Sequence, residues 1–108
     1  MKVANVLNSN YVLLTRDHEI EYQGIYATDL LSAAIKSAEP GNMLITIISH
    51  DNTIGCAMMI DLSVVLITEH RTVTQSMIDK ANESQIAIIR TTLKTHEAIL
   101  DLKERGCI

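Results

Sequence analysis

Phenylalanine and tryptophan are absent from the 108 residues, and tyrosine occurs three times. Proteins that bind single-stranded nucleic acid lay bases on aromatic side chains, so this scarcity removes their platforms. Positive charge is also short: nine Lys and Arg stand against thirteen Asp and Glu, for a formal net charge of −4. No basic stripe is present to neutralise phosphates, which excludes a nucleic-acid partner held that way. The same deficit argues against an anionic lipid surface. No apolar run approaches the roughly 20 residues of a membrane helix. The opening Met1-Lys2-Val3-Ala4-Asn5-Val6-Leu7 breaks into Asn8-Ser9-Asn10, too soon for a signal peptide. Two cysteines, Cys56 and Cys107, have no CxxC spacing and read as reduced thiols of a cytoplasmic protein. Only four glycines occur, and neither a Walker A loop nor GxGxxG can be drawn from them. GxSxG and HExxH are missing as well.

What the chain has is aliphatic. Hydrophobic residues make up 47% and charged residues 20% of it. Its length suits one domain with one core system. Met43-Leu44-Ile45-Thr46-Ile47-Ile48, Val64-Val65-Leu66-Ile67 and Ile86-Ala87-Ile88-Ile89 are short β-branched runs. Runs without polar alternation suit strands buried on both faces, as in a parallel sheet. Helix-length segments separate them. Asp29–Ala38 carries Leu30, Leu31, Ala34, Ile35 and Ala38, with Thr28 or Asp29 as cap and Glu39-Pro40-Gly41-Asn42 as stop. Thr53–Leu62 is apolar along most of its length and reads as a buried helix capped by Asp51 or Asn52. Thr74–Ser84 places Met77, Ile78 and Ala81 on one face. Thr92–Arg105 has Leu93, His96, Ile99, Leu100 and Lys103 at helical spacing, and Gly106 as stop. In the N-terminal third, Val3, Val6 and Leu7 fit a helix or a short strand. Tyr11–Leu14 reads as strand, and Ile20–Tyr26 as a weaker one. The rhythm from residue 29 onward predicts βαβ crossovers and an α/β layered domain.

In such a fold the strand ends that lead into helices collect functional residues. Four junctions carry polar groups: Tyr26-Ala27-Thr28-Asp29, Ser49-His50-Asp51-Asn52, Thr68-Glu69-His70-Arg71 and Arg90-Thr91-Thr92. In a parallel sheet all four open on one edge and form a hydrogen-bonding rim. Helix capping alone accounts for Thr28, Asp29, Asp51, Asn52 and Thr53. His50 and His70 need an orienting partner before they become more than polar surface. His96 reads as packed or solvated within a helix. The four histidines form no pair at i, i+3 or i+4, so neither a metal site nor a cofactor is expected. Cys56, between Gly55 and Ala57 in an apolar segment, is poorly placed for a reactive thiolate. No nucleophile stands with a base, so the residues read as a small α/β binding or interaction domain and not as an enzyme.

At these junctions the chain resembles the DRTGG domain family. Gly24-Ile25-Tyr26-Ala27-Thr28-Asp29-Leu30-Leu31-Ser32 is similar to its Gly-Tyr-x-Ser/Thr-Asp-Leu-Leu-Ser signature. The likeness continues in Pro40-Gly41-Asn42, His50-x-Asn52, Leu66-Ile67-Thr68, Ile78-x-x-Ala81 and Ile86-x-Ile88-x-x-Thr91, covering about residues 24–106. The resemblance implies a three-layer α/β/α domain with a mainly parallel sheet, similar to the N-terminal domain of HPr serine kinase/phosphatase. It implies a first helix over Val3–Asn8. It also implies a stand-alone regulatory module that self-associates, without the kinase chemistry, which in that enzyme lies in another domain. The family pattern has a Gly pair near Tyr26 and another after the Thr68 position. Here Gln23-Gly24-Ile25 and Glu69-His70 stand there, and Glu69 would repel a phosphate.

Three readings follow. The first is a homodimeric regulatory module acting through self-association or a partner protein. Its contact rim is Tyr26, Thr28, Asp29, Ser32, His50, Asn52, Thr68 and Thr91. The second is a sensor of an adenine nucleotide or metabolite at that rim. The third, given least weight, is an enzyme or phospho-acceptor that uses His50.

Overall fold

A computed structural model describes residues 1–108. The chain runs α1 (Val3–Val6), β1 (Tyr11–Leu13), β2 (Ile25–Ala27), α2 (Leu31–Ser37), β3 (Met43–Thr46), α3 (Asp51–Ile60), β4 (Val64–Ile67), α4 (Gln75–Glu83), β5 (Ala87–Thr91) and α5 (Thr95–Glu104). The five strands form one sheet in the order β1-β5-β4-β3-β2. Neighbours from β2 to β5 are parallel, with Tyr26 beside Leu44, Leu44 beside Val65 and Val65 beside Ile88. β1 adds to the far side of β5 antiparallel, Tyr11 beside Thr91.

All residues of β3 and β4 are buried. Strand alternation divides them between two cores. Met43, Ile45, Val64, Leu66, Ala87 and Ile89 meet Val3, Val6, Ala98 and Leu102 from α1 and α5. Leu44, Val65, Ile67 and Ile88 meet Ala34, Ile54, Ala57, Met77 and Ala81 from α2, α3 and α4. The expected three-layer α/β/α arrangement with a mainly parallel sheet is therefore present. The path from β2 to β5 advances one strand at a time in one direction. Crossovers of one hand then place α2, α3 and α4 on the same face, and α5 crosses to the other.

The few aromatics bolt segments that are distant in sequence. Tyr11 donates to Asp101 Oδ2 at 2.8 Å, and the Arg105 guanidinium lies 5.1 Å from the Tyr11 ring centroid. Tyr22 donates to the Cys107 carbonyl at 2.7 Å. Burial, reinforced by the Asp101 carboxylate, pushes the Tyr11 phenol well above its ordinary range. Burial pushes Tyr22 up to about 12.

Several local expectations are corrected. α1 is one turn, Val3–Val6, because Leu7 is extended and Asn8 bridges to Tyr11. Of the segment 20–26 only Ile25 and Tyr26 are strand, which runs on to Ala27; Glu21 makes a lone bridge to Lys2. α3 is not buried all round. As an outer-layer helix it leaves Met58 49% and Met59 71% exposed. Its cap is His50, not Asp51 or Asn52. On α5 the inward positions are Ala98 and Leu102, with Ile99 partly buried, as is Leu93 just before the helix. His96, Leu100 and Lys103 face outward. Cys107 is buried near the end of the chain.

Two-sided burial predicts matched penalties on opposite faces. Leu44→Ala and Leu66→Ala should each lower unfolding free energy by about 2–5 kcal/mol in urea titrations. Loss of less than about 1 kcal/mol in either variant would mean that its face is not packed.

Candidate functional site

The ends of β2, β3, β4 and β5 lie at one edge of the sheet because these strands run parallel. The four connections that leave this edge are tied to one another side by side. Asp29, after β2, accepts from Thr46 Oγ1 at 3.1 Å and from the Ile47 amide at 2.9 Å. Its carboxylate thus crosses to the next connection and does not cap α2. The Thr28 hydroxyl takes the cap-like role, accepting from the Leu30 amide at 3.1 Å. Ser49, after β3, donates to the Thr72 carbonyl in the connection after β4. Asp51 Oδ2 accepts from Ser76 Oγ at 2.7 Å, joining the first turns of α3 and α4. The connection after β4 is then closed onto the one after β5. Glu69 donates its amide to the Leu93 carbonyl at 2.9 Å, and His70 to the Thr91 carbonyl at 3.0 Å. Thr68 Oγ1 lies 2.7 Å from Thr95 Oγ1.

The helices after β4 and β5 leave toward opposite faces, the arrangement at which α/β sheets open a ligand crevice. Here the two amide bonds and the hydroxyl pair fill that crevice. Glu69 and His70 sit at φ of 61° and 55°, two successive left-handed residues as in the centre of a type I′ turn. That conformation costs L-residues about 1 kcal/mol or more each, and of the two only His70 is of a type enriched there. Both are exposed, so core packing does not compel the strain; the paired amides hold the turn.

Each expected rim residue can now be placed. Tyr26 lies within β2, half-buried against the α2–α4 core. Asp29, Ser32, His50 and Asn52 are exposed. His50 Nδ1 accepts from the Asn52 amide at 3.1 Å, leaving Nε2 as its free nitrogen. Thr68 and Thr91 are buried; Thr91 Oγ1 accepts from the Leu93 amide at 3.2 Å. Apart from the His50–Asn52 bond, no hydrogen bond joins one of these eight residues to another. The other side-chain partners of the eight are Thr46, Thr95 and the backbone; Ser49 and Ser76 stitch neighbouring connections through Thr72 and Asp51. A hydroxyl directly after an apolar run is the sequence signal for Ser49, and the one polar residue within that run is the signal for Thr46. Nothing local marks Thr95 as the partner of Thr68. Cys56 is buried at the α2–α3 contact, and burial raises its thiol pKa.

Three surface depressions occur, and none opens on the rim. One, of about 290 Å³, is lined by Met1, Glu21, Tyr22, Gln23 and Gly41 at the opposite end of the parallel strands. The other two lie around Arg16 and Asn82. Small-molecule sites are concave and partly apolar, whereas this rim is a polar surface whose threonine hydroxyls are already paired.

No protein-family model and no curated protein matches the chain. Among solved structures it is similar to the CBS and DRTGG domains of the regulatory region of Clostridium perfringens pyrophosphatase, in complex with the activator diadenosine tetraphosphate. The TM-score is 0.61 at 14% identity, over 70% of this chain and 33% of that one. The chain thus spans about a third of the length of the protein it matches. This likeness supports a DRTGG-like fold.

The turn at Glu69-His70 gives a direct test of the stitched rim. Replacing both residues by glycine relieves two left-handed conformations and adds unfolded-state freedom. The double variant should be more stable by about 1 kcal/mol in chemical denaturation. A loss of stability would show that the turn is not strained.

Proposed function

We propose that this chain is a regulatory interaction module that acts through protein contact, first of all with a second copy of itself. Its contact surface includes the exposed rim of Asp29, Ser32, His50 and Asn52. The observation that carries this reading is the rim itself. Its connections are tied into one rigid surface, and its depressions lie elsewhere. A surface ordered before binding loses little entropy on contact. The similar structure belongs to the regulatory region of a pyrophosphatase, which agrees with a regulatory role.

Tyr26, Thr28, Thr68 and Thr91 have supporting parts in this reading. Tyr26 and Thr28 shape the β2 side of the rim, while Thr68 and Thr91 hold its β4–β5 side from within. His50 as a general base or phospho-acceptor would act through Nε2, with no carboxylate bonded to the ring to orient it.

A second reading, a nucleotide sensor, is favoured by one observation. The similar pyrophosphatase region is complexed with diadenosine tetraphosphate. Against it stand the acidic Asp29, Asp51 and Glu69 around the rim, which oppose a polyphosphate.

Light scattering coupled to size exclusion, together with a thermal shift, separates the two. The contact reading predicts a dimer at tens of micromolar and no shift with about 1 mM ATP or diadenosine tetraphosphate. A strict monomer whose melting temperature rises by several degrees with either nucleotide would replace it by the sensor reading.

A further inference from the structure

The edge strand β2 carries unpaired backbone groups that fit one kind of partner. The Met43 amide donates to the Gly24 carbonyl and the Thr28 amide to the Ile45 carbonyl, each at 3.0 Å. In a parallel ladder this phase turns Gly24, Tyr26 and Thr28 toward β3. The amides and carbonyls of Ile25 and Ala27 therefore point away from the sheet. β2 has a single strand neighbour.

The opposite edge is treated differently. In β1 the Tyr11 amide donates to the Asn8 carbonyl at 3.2 Å, and the Asn8 amide to the Tyr11 carbonyl at 3.3 Å. The chain thus folds back to occupy the outward groups of Tyr11. Natural sheets also blunt edges with charge, proline or bulges. Gly24-Ile25-Tyr26-Ala27-Thr28 contains no charge and no proline. Leu30, 63% exposed, follows directly on that side, and Ile35, 47% exposed, lies on α2.

We infer that β2 pairs with β2 of a second copy, antiparallel about a two-fold axis at Tyr26, joining two sheets into one of ten strands. The inference rests on the self-association reading and places the contact on the β2 edge, which adjoins the rim at Thr28 and Asp29. In this register Ile25 faces the partner's Ala27 and Ala27 faces the partner's Ile25. Each is a hydrogen-bonded pair that exchanges two bonds, so four backbone bonds form. Tyr26 faces its own counterpart as the close, non-hydrogen-bonded pair, where aromatic side chains reinforce pairing. Further out, Gly24 faces the partner's Thr28, and Gln23 faces the partner's Asp29. No like charges meet, and an amide donor opposes each carboxylate. A strand whose sequence complements itself in reverse gives a closed, isologous contact. That symmetry favours a second copy over an unrelated strand.

The test uses the full chain. Ala27→Lys places a charge on an exposed edge position, and Ala27→Pro removes an outward amide that no strand of its own chain uses. Both should raise the dimer dissociation constant at least tenfold with unchanged circular dichroism. Tyr26→Cys should form a symmetric disulfide under mild oxidation, because the close pair's Cα separation suits one. Val12→Cys, on the β1 edge, should not. The native Cys56 and Cys107 are buried and do not compete. A wild type that is monomeric overturns both the self-association reading and this interface. A wild-type dimer left intact by Ala27→Lys and Ala27→Pro, or cross-linked through Val12→Cys and not Tyr26→Cys, overturns the β2 interface alone.

Discussion

Everything in this domain depends on burying β3, β4 and β5 on both faces. A parallel strand in such a sheet has no solvent side, so its sequence is an unbroken aliphatic run. Each run must be covered twice. The Met43, Ile45, Val64 and Leu66 side chains need α1 and α5, while Leu44, Val65 and Ile67 need α2, α3 and α4. Neither helical layer has anything else to pack on. This two-sided demand explains how the domain manages without Phe or Trp. Small helix residues such as Ala34, Ala57, Ala81 and Ala98 bring the helices close to branched strands.

The same constraint locates the polar chemistry. Parallel strands end together, so their polar ends meet along one edge and must satisfy one another. They do so across connections: Asp29 to Thr46 and Ile47, Ser49 to Thr72, Thr68 to Thr95. The outcome is a rim whose hydrogen bonds are spent on rigidity. The constraint leaves one place unfinished, which is β2. It covers the flank of β3 and has no strand on its own far side, whereas β1 is partly closed by Asn8.

Much of this was legible in the residues. Val64–Ile67 is strand over the same bounds that its aliphatic run predicts. α2, α4 and α5 appear with ends trimmed by one to three residues, and α3 is shifted two residues toward the N-terminus, as capping decides ends more finely than periodicity does. The gathering of four junctions on one edge followed from parallel strands alone. Other features lay beyond local reading. Asp51 and Asn52 are good capping types, yet His50 caps α3 because Asp51 is drawn to Ser76 on another helix. Asp29 looks like a cap and is a cross-connection tie. On α5 helical spacing alone did not say which face packs: the sheet takes Ala98 and Leu102, leaving His96, Leu100 and Lys103 outside. The left-handed pair at Glu69 and His70 carries only a faint sequence mark, since His is among the types enriched in that conformation and Glu is not.

The central claim is that this domain works as a contact surface completed by a second copy at β2. Small-angle X-ray scattering of the wild type tests it most directly. One chain has a Cα radius of gyration of 12.0 Å and a longest extent of 30 Å. Two chains joined edge to edge must scatter as an elongated particle of twice the mass. Its radius of gyration would lie well above 12.0 Å, and it should shorten to the single-chain curve with Ala27→Lys. A wild-type curve that stays at the single-chain radius at every concentration would contradict the account.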